Sequence, residues 1–147
     1  MEDLSLHVMD VVENSIAGGA TAVLVRVDRN SKEGLMTISI QDDGTGMTAT
    51  ESRRAVDPFY TTKEGKRIGL GLPLLRQAAV EAGGAMDVMS TRGEGTVVRA
   101  QFRLDHPDQK PLGDMEGTID LLRRYHPGVA FTLEWIVEGS RKSGRIE

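Results

Sequence analysis

Leu35-Met36-Thr37-Ile38-Ser39-Ile40-Gln41, running into Asp42-Asp43-Gly44-Thr45-Gly46-Met47, is the stretch on which the reading of this chain turns. Its first half alternates: Met36, Ile38 and Ile40 are apolar, with Thr37 and Ser39 between them, as in a strand buried on one face. Its second half is a tight polar turn. Two glycines there permit positive φ and the close approach of a ligand to the backbone. An aspartate at the strand end can accept a hydrogen bond from an exocyclic amine. Taken alone, the same residues also read as a plain Asp-Gly turn.

Upstream, residues 21–29 carry Val23, Val25 and Val27 on one side, which predicts a strand. Asn30 to Gly34 has loop composition, so the two strands form a hairpin. Residues 3–17 predict a helix that starts at Asp3 or Ser5 and stops at Gly18-Gly19. Leu4, Val8, Val11 and Val12 share one face of it. His7, Asp10 and Asn14 recur at i, i+3 and i+7 on another, with Glu13 about a quarter turn away. Such a stripe is ordinarily a solvated face. An asparagine and an aspartate one turn apart can instead hold a hydrated magnesium ion and orient a water.

Downstream, Thr48 to Ala55 predicts a short helix, and Asp57 to Arg67 a polar loop holding Pro58 and Gly65. Gly69-Leu70-Gly71-Leu72-Pro73 leads into a helix over 72–82, with Pro73 in its first turn and Gly83-Gly84 closing it. Free N–H groups at a helix start favour phosphate, and glycines let it approach. Lys63, Lys66 and Arg67 stand just upstream, placed to neutralise phosphate or to form a cover; they read equally as solvated charges. Met86 to Ser90 and Thr96 to Leu104 predict strands around an Arg92-to-Gly95 turn. His106 to Gly113 is linker-like, Asp114 to Tyr125 an amphipathic helix, Val129 to Val137 a further strand, and Glu138 to Glu147 charged and loose. The expected fold class is α+β: one mostly antiparallel sheet with helices on one face.

Composition excludes several functions. The 147 residues are 39% hydrophobic and 27% charged, enough apolar material for one core. Net charge is −4 with no long basic run, so a dedicated nucleic-acid surface is not expected. No cysteine is present, which removes disulfides, thiolate metal sites and cysteine nucleophiles. No apolar run approaches the roughly 20 residues of a bilayer span, and Met1-Glu2-Asp3-Leu4 lacks a signal-peptide pattern. A cytoplasmic protein away from membranes is expected.

The order of these features carries more than any one of them. A polar helix is followed by Asp-x-Gly-x-Gly after a strand, a lysine loop, Gly-x-Gly before a helix, and Gly93-Glu94-Gly95-Thr96. The combination resembles the gyrase, chaperone, histidine-kinase and MutL superfamily of ATPases. Their Bergerat fold is a two-layer α/β sandwich with a mostly antiparallel mixed sheet. Glu13-Asn14-Ser15 with Gly18-Gly19-Ala20-Thr21 resembles the helix-to-strand passage of MutL-type proteins. Asp57-Pro58-Phe59-Tyr60-Thr61-Thr62-Lys63 and the Gly69-to-Leu75 stretch resemble the lid of histidine-kinase catalytic domains. The resemblance covers about residues 5–104. It divides the chain into an ATP-binding domain, 1–104, and a C-terminal appendage, 105–147.

The resemblance implies ATP and Mg2+ as cofactors. It makes Asn14 the magnesium ligand and Asp42 the acceptor for the adenine amino group. Gly44 and Gly46 shape the adenine pocket, and Thr96 joins a water-bridged contact to the base. Lys63 approaches the terminal phosphates, and Gly69 and Gly71 line the polyphosphate. Hydrolysing relatives often carry a glutamate four residues before the asparagine. Here Asp10 stands there, one methylene shorter and so a weaker base for water; Glu13 is a fallback facing elsewhere. Arg67 stands near where kinases often carry another glycine, which stiffens the lid or supplies a phosphate contact. His106 and His126 read as structural or solvated; His7 has the better case for function, beside Asp10 and Asn14.

Three functions follow from the resemblance. In the first, a stand-alone regulatory kinase-like module passes the γ-phosphate to a separate protein partner, by analogy with small kinases of anti-sigma antagonists. In the second, a homodimer closes on ATP and hydrolyses it. In the third, the chain senses ATP against ADP without turnover and signals through a partner. The appendage is similar to that of small stand-alone ATPase-domain proteins of anaerobic bacteria. Its helix and strand also read as a cover for one sheet edge, with Trp135 as a packing residue.

Overall fold

The computed structural model of the chain describes residues 3–57 and 71–142. Among them are four helices and six strands, in the order α1 (Leu4–Ala17), β1 (Ala22–Asn30), β2 (Leu35–Asp42), α2 (Ala49–Ala55), α3 (Gly71–Glu81), β3 (Ala85–Thr91), β4 (Gly95–Arg103), α4 (Met115–Tyr125), β5 (Ala130–Val137) and β6 (Ser140–Lys142). The strands form one sheet ordered β3-β4-β2-β1-β5-β6. Every described pairing is antiparallel except β1 with β5, which is parallel. This is the α+β sandwich expected from the sequence.

Alternation decides which face of the sheet is covered. Val23, Val25 and Val27 of β1, Met36, Ile38 and Ile40 of β2, and Val98, Ala100 and Phe102 of β4 are all buried. Leu4, Val8, Val11 and Val12 of α1, Leu72 and Leu75 of α3, and Met115, Ile119 and Leu122 of α4 close over them in one cluster. Three helices packed on one sheet face remove that face from water, which is the main stabilising term of the fold.

Local signals set the ends. Asp3 caps α1 through its carboxylate, accepting from the Leu6 N–H; Ser5, the other candidate, lies inside the helix and donates to Asp3. Thr48 and Glu51 form a reciprocal capping box at the start of α2. Gly19, with φ 88, turns the chain out of α1 into β1.

Two expectations are corrected. His7 does not share an exposed stripe with Asp10: it is 3% exposed. The reason is that α3 and α4 both pack on α1, so this helix has more than one buried side. Of the stretch 138–147 expected to be loose, residues 138–142 form a turn and a strand, and 143–147 lie outside the described residues. Glu138 and Gly139 adopt φ of 54° and 79°, a tight turn that returns the chain antiparallel to β5 as β6. The Glu138 carboxylate accepts from the Ser31 N–H and hydroxyl, pinning this turn to the β1–β2 loop. Those bonds lower the Glu138 pKa.

Candidate functional site

The site is built from the C-terminal half of α1 and the turn after β2. The Gly18 N–H at the end of α1 donates to the Asn14 carbonyl, and the Gly18 carbonyl accepts from the Thr45 N–H at 3.0 Å. A side chain on Gly44 would meet that same Gly18 carbonyl at 3.0 Å and the Asp42 carboxylate at 3.1 Å. The turn therefore lies directly on the helix end. Gly46 has φ 70, and a Cβ there would run into the Thr91 carbonyl; glycine is required on both counts.

The two adjacent aspartates have separate duties. Asp43 faces away from the turn and accepts from the Thr21 hydroxyl at 2.6 Å, the Thr21 N–H at 2.8 Å and the Ala22 N–H at 2.9 Å. The Thr21 hydroxyl bond, followed by the bonds from Ala22 and Thr21 N–H, holds its pKa at about 2. It fastens the start of β1 to the end of β2. Asp42 accepts from the Gly44 N–H through one oxygen only, at 2.8 Å. It stands directly opposite Thr96 in the β2–β4 pairing. Paired residues of adjacent strands project to the same face, so both side chains lie on the helix side of the sheet. Both line a cavity of about 670 Å³ whose wall also includes Val88, Ser90, Ser52 and Arg53.

Asp10 is exposed and Asn14 half-buried, one turn apart on α1. The Asn14 Nδ2 is buried and has no hydrogen-bond partner among the described residues. An amide uncommitted to the fold suits an oxygen ligand for a cation. Gly71 opens α3 against this turn: a Cβ on it would stand 2.8 Å from the Asp10 Cβ and 2.8 Å from the Val11 nitrogen. Asp10, Asn14 and Gly71 thus adjoin one another, and Gly18 and Gly44 connect them to Asp42 and Thr96. Glu13 is engaged elsewhere, with its carboxylate 2.5 Å from the Nε2 of His126. His106 accepts from the Asp108 N–H. Lys63, Arg67 and Gly69 lie outside the described residues.

Ser90 was not singled out in the sequence, yet it bonds the Met47 N–H and the Thr96 hydroxyl, both at 2.7 Å. The signal was present: Met86 and Val88 alternate onto the covered face of β3, and Ser90 continues their row as a polar residue.

Residues 2–106 match the family described as histidine kinase-, DNA gyrase B-, and HSP90-like ATPase. The chain belongs to this family. Among relatives of this ATPase family, a putative sensor protein of Shewanella frigidimarina is 29% identical over 109 residues, 73% of this chain and 17% of that protein. Sporulation kinase C of Bacillus subtilis is 30% identical over 96 residues, 65% of this chain and 22% of that protein. Sporulation kinase E of the same organism is 45% identical over 60 residues, 41% of this chain and 8% of that protein. The chain spans a minor fraction of the length of each. No helix among the described residues of this family member is long and apolar enough to cross a membrane.

Proposed function

We propose that the chain binds ATP with Mg2+ and acts as a kinase-like module, passing the γ-phosphate to a separate protein partner. The observation that carries ATP binding is the opposition of Asp42 and Thr96 within one cavity of an ATPase-family fold. One Asp42 oxygen is held by Gly44, which leaves the other for the adenine amino group. Asn14 is the side chain that would hold the ion, and Gly71, which packs directly against α1, is proposed to line the polyphosphate from the sequence pattern. The ion would supply charge neutralisation of the phosphates. Lys63, Arg67 and Gly69 are proposed for the polyphosphate from the sequence pattern. The kinase relatives and the lid-like Pro58-to-Lys63 stretch favour transfer to a protein.

Asp42→Asn tests the placement of the base. Its amide turns a donor toward the amino group, so ATP binding measured by calorimetry should fall with folding retained. Unchanged affinity would remove adenine from this place. Transfer is tested by label from γ-labelled ATP appearing on a protein partner; its absence with every candidate acceptor would sink the kinase reading.

A second reading, ATP hydrolysis gated by a homodimer, has one observation in its favour. Asp10 presents an exposed carboxylate against Gly71 and one turn from Asn14, where it would polarise a water at the terminal phosphate.

A further inference from the structure

Ser90 sits among three polar groups in the wall of the cavity. Its Oγ accepts from the Met47 N–H at 2.7 Å, donates to the Gly95 carbonyl at 3.1 Å, and lies 2.7 Å from the Thr96 Oγ1. Serine, with one proton and two lone pairs, can satisfy all three contacts in one way only. The Met47 N–H occupies one lone pair. The Gly95 carbonyl can only accept, so it takes the serine proton. The contact with Thr96 must then use the second lone pair of Ser90, and Thr96 is the donor. The reverse polarity would set the Ser90 and Gly95 oxygens against each other with no proton between them, and would leave a lone pair of a half-buried serine unused.

With its proton committed to Ser90, the Thr96 hydroxyl offers the cavity lone pairs alone. The Asp42 carboxylate stands opposite it and also accepts. We propose that Ser90 is a positioning residue that fixes Thr96 as an acceptor, so that the base end of the cavity selects a purine carrying an exocyclic amine there over one carrying a carbonyl. This rests on the adenine-nucleotide reading above. It adds a residue that touches no part of the base and sets specificity through the direction of a hydrogen bond.

The experiment compares ATP with inosine triphosphate, which has a carbonyl for the amino group at the 6-position and a proton on N1, by calorimetry on the full chain with Mg2+. A site with buried groups set for one hydrogen-bonding pattern discriminates strongly against the other, so the unaltered chain should favour ATP by about a hundredfold. Ser90→Ala frees the Thr96 proton to face the cavity, and the ATP-to-inosine ratio should fall about tenfold. A merely structural role would weaken both nucleotides alike and leave the ratio standing. Thr96→Val removes the hydroxyl itself, and the double variant should then show the ratio of Thr96→Val alone. If Ser90→Ala does not fold, Ser90→Cys, close in size and a poor acceptor, should lower the ratio in the same direction. A ratio within twofold of the unaltered chain, in whichever of the two folds, overturns the inference. Failure of the unaltered chain to bind ATP would instead overturn the adenine-nucleotide reading, and this inference with it.

Discussion

The Glu13 carboxylate and the His126 imidazole meet at 2.5 Å, joining the helix that carries Asn14 to the far end of α4. Glu13 immediately precedes Asn14, so this contact is a direct link from the C-terminal segment to the proposed cation ligand. Its side chains are 51% and 26% exposed, which limits what it contributes to stability. Exposed pairs are worth about 0.2–1 kcal/mol. His126→Ala should therefore lower the melting temperature by at most about 4 °C. A double-mutant cycle with Glu13→Ala should return a coupling within that small range. A larger loss would mean that the contact organises more of α4 than its own pair.

Gly71→Ala should be costly for its size. The added carbon would stand 2.8 Å from two atoms of α1, one of them backbone, so α1 and α3 would have to part. Overpacking of this kind costs about 1–3 kcal/mol. Gly71 is itself a proposed polyphosphate residue, so ATP affinity should fall together with thermal stability. Parallel melting curves and binding isotherms check both; an alanine variant with unchanged melting would show that α3 yields freely.

Asp10→Asn separates hydrolysis from binding. If Asp10 polarises the attacking water, phosphate release should drop to background while ATP affinity stays within about twofold, because the base acts in the reaction rather than in holding the ground state. Release measured over a range of protein concentrations adds the test of dimer gating: specific activity should rise with concentration. Unaltered turnover in the variant would remove Asp10 from the mechanism.

Asp43 should leave a signature at low pH. The Thr21 and Ala22 bonds hold its folded pKa at about 2, below the ordinary aspartate value of 3.8, so the folded state binds its proton more weakly than the unfolded one. Its contribution to stability is complete above the unfolded value and is lost as pH falls through about 2. A carbon-detected titration should place the Asp43 carboxyl midpoint near 2, and Asp43→Asn should flatten the fall in melting temperature between pH 4 and pH 2. A midpoint near the ordinary aspartate value would mean that the Thr21 and Ala22 bonds do not persist in solution.

Much of the fold was legible because period and punctuation agreed. Val23, Val25 and Val27, and Met36, Ile38 and Ile40, alternate cleanly, and their strands fall where alternation put them. The parts that were not legible depend on what arrives from elsewhere in the chain. His7 reads as polar-stripe until α3 and α4 both settle on α1. Glu138 reads as part of a charged tail until its turn meets Ser31. In the site, the distinction between Asp42 and Asp43 came from motif order, and the bonds from Thr21 and Ala22 supply its physical basis. Ser90 was invisible because its role depends on the polarity of a neighbour's hydroxyl, which no spacing records.

The appended segment performs two kinds of closure at once. Through Ala130 to Val137 it hydrogen-bonds along β1 in parallel register, and through the Pro111 and Leu112 carbonyls it accepts from the Leu4 and Ser5 N–H groups at the start of α1. A chain stopped at Leu104 would bare a β-strand margin eight residues long and leave the Leu4 and Ser5 N–H groups of α1 without their acceptors in the same stroke. Bare strand margins seek other strands. The segment is therefore as much a guard against self-adhesion as an extension of the sheet, and proteolysis between Arg103 and Asp114 that released it should make the remainder prone to aggregate.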